Sequence, residues 1–88
     1  METWTKINID GTIEEFTTRP KKRMDHVKNL QSHIGGFFET IKVGRINMLV
    51  HEEGRLMLPA NAGVQKYFKI SYDIYGPVIF KKNKFFKP

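Results

Sequence analysis

The chain has no cysteine, so neither a disulfide nor a thiolate metal site can supplement its core. That absence fits a reducing compartment. No apolar run approaches the roughly 20 residues that a membrane span needs. The opening Met1-Glu2-Thr3-Trp4 has no basic stretch followed by an apolar one, so no signal peptide and a cytoplasmic location are expected. Also missing are a Ser/His/Asp order, a phosphate-cradling glycine loop and a metal-protease motif. No catalytic residue, metal or cofactor is therefore expected, and an enzyme is not. No internal repeat or interdomain linker is present. At 88 residues the sequence reads as one domain, near the low end of what folds alone, for which a homodimer is one way to bury more surface.

What the chain has is a basic excess with a particular placement. The net charge is +6, from 15 cations against 9 carboxylates. Arg19, Lys21, Lys22 and Arg23 form one cluster; Lys81, Lys82, Lys84 and Lys87 form another. Without those two segments the remainder is net acidic, so the excess is local. That is the pattern of an anion-binding footprint, to be weighed against lysines that merely keep a small protein soluble.

Hydrophobic periodicity and punctuation give the elements. Trp4 to Asp10 alternates, and Asp10-Gly11 turns a hairpin into Thr12–Thr18, with Ile13 inward and Phe16 off the alternation, so that a bulge or a short second strand is expected. A helix is expected from about Lys21 to Ile34, with Thr18 able to cap it and Pro20 tolerated at its start. Met24, Val27, Leu30 and Ile34 share one face, and Gly35 or Gly36 closes it. Phe37 to Val43 reads as a strand. Ile46, Met48 and Val50 alternate along the next, with Leu49 on its other side. His51-Glu52-Glu53-Gly54 is a turn with positive φ expected at Gly54, and Arg55 to Leu58 a short returning strand. Ala60 to Phe68 is a second, short helix with Val64, Tyr67 and Phe68 inward. Ile70 to Tyr75 and Val78 to Phe80 are extended, and Gly76-Pro77 between them marks an edge or corner. From Lys81 the chain is expected to be a mobile basic tail. The expected class is α+β: a mostly antiparallel sheet of roughly four to six strands, the main helix packed on one face, in a compact domain over 1–80. Phe37, Phe38, Leu49, Tyr72, Tyr75 and Phe80 exceed one buried layer, so the other face needs cover from the short helix or a second subunit.

The order Leu30-Gln31, Ile34-Gly35-Gly36, Glu39, then Val50-His51-Glu52-Glu53-Gly54, Leu58-Pro59-Ala60-Asn61 and Asp73-Ile74-Tyr75-Gly76-Pro77-Val78-Ile79 resembles a family of small uncharacterised domains, a domain of unknown function frequent in bacteriophages and other mobile elements. It departs at Ala62-Gly63-Val64, where such sequences usually place alanine and threonine. The resemblance implies a viral or mobile-element accessory protein acting inside a host cell. It carries no activity or catalytic residues.

His26 and His33 share a helix face but stand two turns apart, too far for one metal ion. Glu52 and Glu53 diverge from a turn, and Glu39 and Asp73 meet only if the fold brings them together. Cations at a helix start oppose its dipole by about 0.3–1 kcal/mol each, so Arg19, Lys21, Lys22 and Arg23 break a local rule that a bound phosphate would repair. Asn61 is first a helix cap and second a ligand contact. The expected function is binding of an anionic phosphorylated ligand, nucleic acid or nucleotide, through the helix-start cations, Asn61 and Lys81, Lys82 and Lys84. The alternative is a protein that binds or inhibits a host factor through an aromatic patch or Phe85-Phe86.

Overall fold

The computed structural model describes residues 2–19 and 23–87, the side chains of Arg23 and Met24 excepted. Five strands form one antiparallel sheet: β1 (Glu2–Ile7), β2 (Ile13–Thr18), β3 (Phe38–Val43), β4 (Ile46–His51) and β5 (Val78–Lys81), in the order β2-β1-β5-β4-β3. Two hairpins, β1–β2 and β3–β4, are thus held together by the last strand, which pairs antiparallel with β1 and β4. Helix α1 (Arg23–Ile34) crosses one face; α2 (Gly54–Met57) and α3 (Ala62–Phe68) lie between β4 and β5 in the chain. The α+β class read from the sequence is the one observed.

The period of two in each strand sorts side chains to the two faces. Trp4, Leu49 and Ile79 pack with Leu30 and Ile34 of α1, and Phe16 and Phe38 close that layer. Ile7, Met48, Val50, Val78 and Phe80 belong to the other layer, with Val64 of α3 and Ile74. Burying side chains such as Phe80, Ile7 and Met48 contributes about 1.5–3 kcal/mol each. With both faces covered within one chain, Phe16 needs no bulge, and its strand pairs with β1 without interruption from Ile13 to Thr18. Of the aromatics that exceed one layer, Phe37 and Tyr72 remain exposed.

Other expectations are corrected. Arg55–Leu58 is not a strand: Gly54–Met57 forms a helical turn with Leu56 and Met57 in solvent. Gly54 does not have positive φ. It is glycine because a Cβ there would stand 2.6 Å from the Tyr75 carbonyl oxygen. Ile70–Tyr75 contributes a single bridge, Ala60 to Tyr75, rather than a strand. Of the edge or corner expected at Gly76-Pro77 only the edge is excluded: Gly76, at φ +84, turns the chain before β5, and Pro77 precedes that strand, so the central strand loses no ladder donor. Thr18 is buried in β2, and among the described residues its hydroxyl has no hydrogen-bond partner; the helix start that it is expected to cap lies outside the described residues. Pro20 lies outside the described residues. Gly35, at φ +91, follows α1 as expected.

Candidate anion-binding site

Strand direction places the charges. β2 and β5 run parallel to each other and finish at the same end of the sheet, where the β3–β4 turn at Gly44-Arg45 also lies. Arg19 leaves β2 there, exposed, and Lys81, Lys82 and Lys84 leave β5 there. The two basic segments therefore start from one end of the sheet. The opposite end carries the β1–β2 turn with Asp10 and the turn after β4 with Glu52 and Glu53. Lys21, Lys22 and the Arg23 side chain, three of the four expected helix-start cations, lie outside the described residues.

Not every tail cation is free. Lys81 Nζ is 2.6 Å from Glu2 Oε2, and His26 Nε2 is 3.3 Å from Glu2 Oε1, so one carboxylate ties the first turns of α1 to β5. The hydrogen bond from Lys81 holds the Glu2 carboxyl below its ordinary pKa. Lys82 Nζ is 3.2 Å from Glu15 Oε1. Exposed pairs of this kind are worth about 0–1 kcal/mol, so a polyanion can exchange with them at small cost.

The segment expected to be a tail from residue 81 starts inside β5 and continues through ordered contacts. The Lys82 amide donates to the Thr3 carbonyl at 2.9 Å, extending the ladder. Phe86 stacks on Phe68 at 5.2 Å between ring centroids and meets Phe80 edge-on at the same distance. Asn83 accepts from the Phe85 amide at 2.9 Å and donates from its side-chain amide to the Lys81 carbonyl at 2.8 Å. Those two bonds fix a turn that leaves the Phe85 ring half exposed.

Charge clustering along the sequence does not single out Arg45, yet Arg45 completes the site. Its guanidinium carbon stands 5.4 Å from the Phe85 ring centroid, and Lys84 Nζ stands 5.5 Å from it. Among the described residues neither cation pairs with a carboxylate. Beside the ring opens a cavity of about 440 Å³ on the α1 face of the sheet, walled by Thr40, Asn47, Lys81 and Asn83 with Trp4 and Leu49 beneath. Small-ligand pockets run from about 300 to 1,000 Å³. A two-residue turn exposes its arginine, but nothing local in the sequence says which strand ends will be its neighbours.

Asn61 belongs elsewhere. It is wholly buried, donates to the carbonyls of Ile7 at 3.0 Å and Gly76 at 2.9 Å, and accepts from the Val64 amide at 3.1 Å. It caps α3 and leaves no part of its amide open to a ligand. Lys87 lines a smaller pocket on the other face with Lys82 and Phe86.

Glu39 and Asp73 both line a second cavity, of about 230 Å³, with Glu52, Arg55, Tyr72 and Tyr75. Among the described residues no three His, Asp or Glu side chains are placed to share a metal ion. His33 stacks on Phe16 at 3.7 Å, and burial depresses its pKa, helped by nearby Lys6 and opposed by Glu14. Among the described residues no helix is long and apolar enough to cross a membrane. No protein-family model, curated protein or solved structure matches the chain.

Proposed function

We propose that this protein is a non-catalytic binding module for a phosphorylated ligand, nucleic acid or nucleotide, held at the basic end of the sheet. One observation carries the reading: two cations without carboxylate partners among the described residues, Arg45 and Lys84, flank a half-exposed aromatic ring at the mouth of a polar-walled cavity. Lys81 lines the same cavity, and Arg19 and Lys82 stand at the same end of the sheet, Lys82 on its other face. The motif resemblance to phage-borne domains supports an accessory role in a virus or mobile element.

The test is anisotropy of a labelled single strand and of labelled nucleotides at increasing salt. If about four cations are engaged, the slope of log affinity against log salt is about −3, so affinity falls about 50-fold between 50 and 200 mM salt. Arg45→Glu lowers affinity further at every salt. Binding indifferent to salt, or absent at low salt, refutes the reading. A protein partner is a second reading, favoured by Phe37 at 71%, Leu56 at 85% and Met57 at 65% exposure, away from the cations.

A further inference from the structure

We infer that the Phe85 ring is a stacking platform for a base of a single-stranded nucleic acid whose backbone follows the cations along the sheet end. This rests on the anion-binding reading and adds the kind of ligand.

The ring is positioned rather than left over. Its neighbour Phe86 is spent on the core, while Asn83 binds the chain on both sides of residue 84 and presents Phe85 to solvent. An aromatic ring held half exposed by a hydrogen-bonded turn forgoes burial, and its π-face is then available to a partner. Its present partners are Arg45 and Lys84. An exposed cation–π contact is worth about two- to fivefold in an equilibrium constant. Base–aromatic stacking is worth about five- to 150-fold per base. A base therefore displaces a cation from the ring at a net gain, and the displaced cation is left beside the phosphate that arrives with the base.

The surroundings suit a nucleotide unit. Thr40 and Asn47, both exposed, put a hydroxyl and an amide on the cavity wall beside the ring, where they can reach base edges or sugar. Leu49 and Trp4 give an apolar floor. The spread of cations along the sheet end, with Glu2 and Glu15 among them, points to a strand rather than one nucleotide. From Arg19 beyond β2 to Arg45 between β4 and β3 it crosses three to four interstrand spacings, each about 4.8 Å, or roughly 15–19 Å in all. A single phosphate group engages one end of such a row. A duplex does not fit, because its bases are stacked on one another and expose no face to the ring.

The test compares a labelled oligothymidylate of about 12 nucleotides, within the span that single-strand modules cover, with an abasic strand and a duplex of the same length, and with inorganic polyphosphate as competitor. The oligothymidylate is expected to bind best. The abasic strand and the Phe85→Ala variant each lose about 5- to 150-fold, while polyphosphate binds wild type and Phe85→Ala alike. Phe85→Trp retains affinity, and strand binding quenches its emission by more than it changes that of Trp4, in the cavity floor, in the wild-type protein. Melting temperature checks that each variant is folded. Equal binding of abasic and normal strands, tighter binding of the duplex, or a Phe85→Ala variant indistinguishable from wild type overturns the stacking platform and leaves the anion site standing. Failure of every strand and of polyphosphate to bind overturns both.

Discussion

Asn61 is the residue whose replacement gives the sharpest test of how this fold is assembled. Its side chain sits where three segments converge: the end of β1 at Ile7, the start of α3 at Val64 and the turn before β5 at Gly76. Its own amide donates to the Ile74 carbonyl at 2.7 Å. Asn61→Ala takes one donor from each of two carbonyls and the acceptor from one amide, in a site with no solvent exposure. Each buried polar group so deprived costs about 1–3 kcal/mol, and a lost helix cap costs about 0.5–2 kcal/mol. These costs overlap because the segments relax together, so a loss of about 3–5 kcal/mol is expected. Native domains hold about 5–15 kcal/mol in total, which makes the variant marginal.

Asn61→Asp separates the two roles. The carboxylate keeps the acceptor that caps Val64 but turns an acceptor toward the Ile7 and Gly76 carbonyls, where two donors stood. If capping were the whole role, this variant would match wild type. If the donor face matters, it is at least as unstable as Asn61→Ala at neutral pH. A neutral acid can still donate one bond, so the folded state raises the pKa of the introduced carboxyl group above the ordinary value near 3.9. The folded state then binds more protons than the unfolded one, and the deficit grows as pH rises from about 4. Urea unfolding of the three proteins at pH 7 and pH 4.5 measures all of this. Losses below about 1 kcal/mol in both variants would refute the account of Asn61 as a shared node.

Phe86→Ala removes a ring that touches Phe68, Phe80 and Tyr67. Complete burial would make the loss about 3–5 kcal/mol; with Phe86 only partly buried, about 2 kcal/mol is expected in urea unfolding, and no change would return residues 82–87 to the status of a loose tail. His33 gives a pH dependence with a definite sign. Its folded pKa lies below the ordinary value of 6.5 because it is partly buried against Phe16. Its contribution is therefore complete above that value and is lost as pH falls from it toward the folded pKa. Melting temperature should decline on acidification below about 6.5, and His33→Gln should flatten that part of the curve. The depressed pKa of Glu2 acts in a lower window, below its ordinary value of 4.5. An equal decline in His33→Gln would show that other groups carry the effect.

Elements with strong local signals are legible in the amino-acid order alone. α1 carries Leu30 and Ile34 on one face and stops at Gly35; β4 alternates with Leu49 on its far side; Asn61 caps a helix. Legibility ends where a local pattern fits two structures. Arg55-Leu56-Met57-Leu58 is too short for alternation to exclude a helical turn, and the reason for Gly54 is a carbonyl contributed by Tyr75, distant in sequence. Val78-Ile79-Phe80 misleads for a related reason. Three consecutive apolar residues suit a strand covered on both faces, but Pro77 beside them suggests an edge. Which strand occupies the middle is decided by β5 pairing with β1 and β4 together, and no window of sequence contains that choice.

The same limit governs the site, and it changes which cations matter. Counting charges selects the lysine-rich end of the chain, yet Lys81 and Lys82 already face Glu2 and Glu15. A polyanion binding there must compete with carboxylates that stay in place. The attraction it gains is reduced by that competition, and fewer counterions remain to be released. Arg45 and Lys84 have no such competitor among the described residues, so each counts more fully. Their position also gives them the aromatic ring, which a lysine cluster alone lacks. On the proposed reading, carboxylates at the far end of the sheet, Asp10, Glu52 and Glu53 among them, would help orient an approaching polyanion toward this end. The sequence shows that the basic excess is local. Only the strand order shows that an arginine outside it, between β3 and β4, joins it beside Phe85.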